Sequence, residues 1–119
     1  MAGITFYNHN GAPIAYCEDG THIYLFNGKP VAHINKDSVY NYSGTHLGRL
    51  KNGWLLDNSG YHVFFTENAT GGPVKPIKQI KPIKSVKQIK PIKGIKQIKP
   101  ISPISSLSWS SDSSEHFFN

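Results

Sequence analysis

Four glycines, Gly11, Gly28, Gly44 and Gly60, stand 17, 16 and 16 residues apart, and the same local pattern surrounds each of them. The residue before each glycine is Asn10, Asn27, Ser43 or Ser59, giving two Asn-Gly and two Ser-Gly steps, which are strong turn signals. Three residues after each comes an aliphatic (Ile14, Val31, Leu47, Val63), and five before it another apolar residue (Phe6, Ile23, Val39, Leu55). Each unit therefore reads as strand, tight turn, strand. A lone hairpin is marginal in water, so four of them must share their apolar faces. Sixteen residues are too few for a four-stranded propeller blade, which takes about forty. The economical arrangement is a ring or shallow barrel of four β-hairpins with pseudo-fourfold symmetry, which also removes exposed sheet edges. The predicted fold class is thus all-β, with this domain at residues 1–72.

Two further positions refine the ring. Four residues after each glycine stand Ala15, Ala32, Gly48 and Phe64; the reading is that these approach the pseudo-fourfold axis and that Phe64 fills the space left by its small counterparts. Four residues before each glycine stand Tyr7, Tyr24, Tyr40 and Leu56. In regular strands the three tyrosines share one face around the ring. Together with Trp54 they form a candidate binding surface for a small ligand or for the chain's own tail, since proline-rich segments dock in aromatic-lined grooves.

The tail runs over residues 73–108 as twelve triplets with an aliphatic residue in the middle, from Val74 to Leu107. The third position is Lys75, Lys78, Lys81, Lys84, Lys87, Lys90, Lys93, Lys96 and Lys99, then Ser102, Ser105 and Ser108. A period of three suits neither a strand nor a helix over this length, whereas polyproline II has three residues per turn. Six prolines at first positions reinforce that expectation. The predicted segment is an extended rod with an aliphatic, a cationic and a Pro/Gln/Ser/Gly stripe. The net charge of +6 belongs to it, because residues 1–72 carry four basic side chains against five acidic ones.

Three roles for the rod follow from its stripes. The isoleucines dock on the aromatic domain or on another copy of the chain, leaving the lysines in water and favouring a homo-oligomer. Alternatively the nine lysines serve as an arm for nucleic acid, where binding would weaken steeply with salt, or they meet an anionic membrane or an acidic protein. In residues 109–119, Trp109, Phe117 and Phe118 are too apolar for a free end and are expected to form a clasp on the domain. Asp112 or Ser113 is the predicted cap of a short terminal helix with Glu115 in its first turn.

Signals for chemistry are weak. Six histidines lack zinc-type spacing and a cysteine partner, and His46 and His62 simply occupy the turn-exit positions held by Pro13 and Pro30. Cys17 stands where other repeats carry Ile34, Leu50 and Thr66, so it reads as an apolar strand residue. No phosphate loop or convincing carboxylate pair is present. The expectation is a non-enzymatic protein without cofactor or metal. With no secretory leader pattern and no long apolar run, it is expected in the cytoplasm or at a membrane surface.

The four repeats FYNHNGAPIAY, IYLFNGKPVAH, VYNYSGTHLGR and LLDNSGYHVFF, followed by a KPIK array, resemble the bacterial proteins grouped as the fourfold β-flower family over residues 4 to about 68. That resemblance implies a shallow pseudo-fourfold β-barrel and carries no established activity and no catalytic residues. Pieces such as YNYSG also resemble YD-type shell repeats, whose units are longer. The combined reading is a non-catalytic interaction or assembly module with a basic segment for an anionic partner; the alternatives are a lipid or small-ligand binding barrel and a nucleic-acid-binding arm on a β scaffold.

Overall fold

The computed structural model describes residues 3–119; the first two residues of the domain expected to start at residue 1 lie outside it. Eight strands form a closed antiparallel barrel in which each pairs with its neighbours in sequence: β1 (Ile4–Tyr7), β2 (Pro13–Cys17), β3 (His22–Leu25), β4 (Pro30–Asn35), β5 (Ser38–Asn41), β6 (His46–Lys51), β7 (Trp54–Asp57) and β8 (His62–Phe65). Closure between β1 and β8 runs through Tyr7 opposite Phe65. The all-β ring of four hairpins is what the repeat predicts.

The repeat glycine ends each hairpin turn. Gly11, Gly28, Gly44 and Gly60 donate their N–H to the carbonyls of Asn8, Leu25, Asn41 and Asp57, three residues earlier, at 2.9–3.1 Å. All four have φ between +81° and +97°, which side chains with a Cβ rarely adopt. Carboxamide or carboxylate oxygens of Asn8, Asn41 and Asp57 accept from turn amides, and Asn27 does so in the second repeat. At the opposite end of the barrel the units are joined by short turns, two of them using Lys36 (φ 59°) and Asn52-Gly53 (φ 52° and 81°).

Phe6, Ile23, Val39 and Leu55 are fully buried inside the barrel, and so are Ala15, Ala32 and Phe64. Gly48 is small for a more local reason: a Cβ there would lie 2.0 Å from the Leu56 carbonyl oxygen. Phe64 does not fill the interior alone. It lies 5.6 Å from Phe118 in a stack and meets Phe117 edge-on at 5.7 Å. The chain terminus thus plugs the barrel with a 3₁₀ turn, Glu115–Phe118. Its cap is Ser114, not Asp112 or Ser113, because the Ser114 hydroxyl accepts from the His116 N–H. Ser113 is instead buried and lies 2.5 Å from His9 Nδ1, and Asp112 accepts from Ser114. Trp109 bridges to His62 and packs on Trp54 at 5.3 Å.

Candidate functional site: the strap and the outer face of the barrel

Strands alternate, so residues next to the core positions point outward. The outward face carries four cross-repeat pairs: Tyr16 with Tyr24, His33 with Tyr40, Arg49 opposite Leu56, and Phe65 with Tyr7. The three aromatic pairs are stacked, with ring centroids 5.3–5.9 Å apart and planes within 24°. Tyr7, Tyr24 and Tyr40 therefore do share a face, as the repeat implies, and all are buried. What buries them is the tail.

Residues 74–106 form no helix, strand or turn and run around the hairpin turns. Contacts recur every nine residues. The N–H groups of Gln79, Gln88, Gln97 and Ser106 donate to the carbonyls of Gly11, Gly28, Gly44 and Gly60 at 2.8–2.9 Å. Ser85 and Gly94 add bonds to the Phe26 and Tyr42 carbonyls. Every triplet whose first residue is not proline thus places that residue's N–H on the barrel, and the prolines fall where no donor is used. The strap also explains why the turns tolerate only glycine. A Cβ on Gly11, Gly28 or Gly44 would stand 2.0–2.1 Å from the carbonyl oxygen of Ile77, Val86 or Ile95. An extended chain covers about 28 Å in nine residues, which is about a quarter of the perimeter of a disc 36 Å across.

This geometry overturns the expectation that the isoleucines dock on the domain and leave the lysines in water. The stripe that meets the barrel is Pro/Gln/Ser/Gly, because close approach of two backbones needs small or flat residues. The lysines then reach back over the outward side chains. Lys78, Lys87 and Lys96 lie over Tyr7, Tyr24 and Tyr40 at 5.4–5.9 Å; Lys84 lies over Tyr16 at 4.7 Å and Lys75 over Trp54 at 5.7 Å. Four strap lysines meet carboxylates in the loops at the far end: Lys84 and Lys87 on Glu18, Lys81 on Glu67, Lys99 on Asp37. The lysine bonds hold the carboxyls of Glu18 and Asp37 below their usual values, and for Glu67 burial is outweighed, to the same effect, by the backbone N–H groups of Thr5 and Glu67 and then by the Lys81 ammonium. Lys90 lines a shallow cleft with Glu18 and Tyr24. Burial, then the charges of Lys93 and Lys96, lower the His33 pKa, so this imidazole is held neutral.

The fourth quarter differs. Arg49 replaces an aromatic, Leu56 replaces tyrosine, and Lys51 stands where two other repeats have Glu18 and Glu67. There the strap carries Ser102 and Ser105 instead of lysine. A lysine at either place would find no ring face and a like charge. Arg49 Nη2 donates to the Pro100 carbonyl, and Lys51 Nζ to Ser105 Oγ at 3.2 Å. The nine-residue step was legible in the glutamines at 79, 88 and 97, and the exchange of lysine for serine opposite Arg49 and Lys51 was legible too; triplet reading alone hides both.

The aliphatic stripe faces away. From Val74 to Ile104 its members are 90–96 % exposed, and Leu107 is 76 % exposed. Cys17 is buried in the core, and burial raises its thiol pKa, so it is not a poised nucleophile. His46 is bonded to Asn58 and Ser38, and His62 packs on Trp54. Among the described residues no three His, Cys, Asp or Glu side chains are placed to hold a metal ion. No helix among them is long and apolar enough to cross a membrane.

The class these features define is an eight-stranded closed barrel of four equivalent hairpins, belted by its own C-terminal segment. A family model described as 4-fold beta flower protein matches residues 4–118, and the chain belongs to that family. The match includes the strap and the terminal plug, so it extends well past the hairpin repeats on which the resemblance rested. Neither the curated proteins nor the solved structures contain a match to this chain.

Proposed function

We propose that the protein is a non-catalytic assembly module whose contact surface is the aliphatic rim, and that its partner is a second copy of the chain. The observation that carries this reading is the exposure of eleven aliphatic side chains at 90 % or more on a backbone tied down through six hydrogen bonds. Monomeric proteins rarely present a continuous apolar surface of that length, and burying each such side chain is worth about 1.5–3 kcal/mol. Pairing of Lys81, Lys84, Lys87 and Lys99 with the barrel's own carboxylates supports a self-contact, since it offsets repulsion between like rims. The same pairing argues against the lysines as an arm for nucleic acid or an anionic membrane, because their heads are turned onto the barrel. A lipid chamber is disfavoured by an interior filled with Phe6, Phe64 and Phe118.

Sedimentation velocity across a range of protein concentrations tests the proposal. The native chain should associate reversibly, and the triple variant Ile80→Ser, Ile89→Ser, Ile98→Ser should sediment as a monomer with an unchanged melting temperature. A native chain that stays monomeric throughout, or a variant that associates equally well, overturns it.

A further inference from the structure

In three quarters of the outer face, lysines of the strap lie over aromatic rings. In the fourth, a cleft of about 300 Å³ lies between barrel and strap, walled by Arg49, Lys51, Leu56, Ser102, Pro103 and Ser105 among others. A second cleft of about 150 Å³ adjoins it and shares Lys51, Leu56 and Ser105. Each is lined by a residue that carries a buried nitrogen without a partner. Arg49 is 7 % exposed and its Nη1 is unbonded; His62, a wall of the second cleft, is 5 % exposed and its Nδ1 is unbonded. A buried guanidinium with an idle nitrogen is a costly arrangement. Nη2 is committed to the Pro100 carbonyl, so Nη1 is the donor left for an oxygen of an oxyanion. Asp37 and Asp57 also line the larger cleft: Asp37 is paired with Lys99, and Asp57 keeps its charge while accepting from the Ser59 and Tyr61 amides, so Arg49 and Lys51 face one carboxylate not paired with a strap lysine.

We infer that the fourth quarter is a binding site for a small organic oxyanion, a carboxylate or a phosphate. Arg49 and Lys51 supply the charge, the hydroxyls of Ser102 and Ser105 supply further donors, and Leu56 and Pro103 flank a short apolar portion. The break in the fourfold pattern then has a purpose. A lysine strap meets aromatic rings and carboxylates of the barrel, and a serine strap beside Arg49 and Lys51 leaves their charge for a ligand.

Inorganic phosphate and succinate, titrated separately at constant ionic strength against chloride, distinguish the two sources of the anion. The readout is the NMR signals of the Arg49 side-chain Nε–H and the Lys51, Gly60 and Ser105 amides. At least one anion should shift them saturably below about 20 mM, and Lys51→Gln should weaken that binding by about tenfold. Lys51 is exposed, so this variant keeps the fold. Arg49→Gln should abolish binding if it folds. Linear, unsaturated drift with both anions, or saturation that Lys51→Gln leaves unchanged, overturns the inference.

Discussion

The second and fourth quarters of the ring are built from the same repeat and end in opposite chemistry. In the second, Tyr16 stacks on Tyr24, Glu18 stands at the rim of the loop, and the strap brings Lys84 and Lys87 onto both rings and the carboxylate. In the fourth, Arg49 faces Leu56, Lys51 replaces the acid, and the strap brings Ser102 and Ser105. Strap and barrel have different repeat lengths, nine against sixteen or seventeen residues, yet their side chains correspond quarter by quarter. The difference teaches that the tail is matched to the surface it lies on, so the basic segment is better understood as an outer layer of the fold than as an appendage with a charge.

Glycine substitution should produce the largest effect and separates the two quarters most sharply. Gly28→Ala and Gly60→Ala share a positive φ, but the new Cβ would stand 2.1 Å from the Val86 carbonyl oxygen in the second quarter and 2.7 Å from that of Ile104 in the fourth. The common backbone strain costs about 1–3 kcal/mol. Gly28→Ala should cost clearly more than Gly60→Ala in urea unfolding, because it also lifts the strap. It should also expose Lys84 and Lys87 to trypsin. Equal losses, with Lys84 and Lys87 still protected, would mean that the strap does not bear on the second turn.

Gln88→Pro is a milder probe of the same contact. Proline suits an extended chain but removes the N–H that bonds to the Gly28 carbonyl, a loss of about 1 kcal/mol. A control in the fourth quarter, Pro103→Ser, gives up no donor and should leave the unfolding free energy within about 0.5 kcal/mol of the native value. If the two substitutions behave alike, the alternation of proline and donor along the strap has no structural meaning.

Much of this was readable in the chain. Glycine spacing predicted four hairpins, and the tyrosines at the same offset predicted a shared face. Trp109, Phe117 and Phe118 signalled an end that folds back, and all three pack on the barrel. The orientation of the strap was misread because the rule that aliphatics go inside outweighed a subtler cue. A chain lying directly on another backbone must present its smallest or flattest residues there, and in this tail those are the Pro, Gln, Ser and Gly positions. The cleft of the fourth quarter was hidden for another reason: Arg49, Leu56 and Lys51 are distant from Ser102 and Ser105 in sequence, and only the belt brings them together. The helix cap moved by one residue because Ser113 is drawn into a contact with His9 that local sequence does not reveal.

Acid should destabilise the barrel through its buried histidines, His33 in the third quarter among them. His33 is buried against Tyr40 and Tyr42 at 5.8 and 5.4 Å, and burial, then Lys93 and Lys96, keep its folded pKa below the ordinary 6.5. An unfolded chain takes up a proton that the folded one resists, so stability is fully present above about 6.5 and declines as pH falls from there toward the lowered folded value. His46 and His62 are shifted in the same direction by burial and add to the decline. His33→Phe should flatten part of the melting-temperature curve between pH 7 and 5 (a range set by ordinary histidine titration, about 6.5). An unaltered slope would show that the ring titrates freely.

The smallest effect concerns Glu18, which is about 40 % exposed and paired with Lys84 and Lys87. Such surface pairs are strongly screened and contribute little, but their sign is definite. The two lysine bonds lower the folded pKa of Glu18 below 4.5, so its contribution is present above the unfolded value and lost as pH falls through the folded one. Glu18→Gln should therefore melt slightly below the native protein at pH 6, with the gap closing below about pH 4 and shrinking in high salt. Lys51→Gln, its counterpart in the fourth quarter, removes a bond to a serine that does not titrate, and its small effect should be flat across the same acid range. A gap that persists for Glu18→Gln at low pH would assign that residue's role to packing on Lys84 and Lys87 rather than to charge, and the matching of strap to barrel would then rest on the backbone bonds and the aromatic rings.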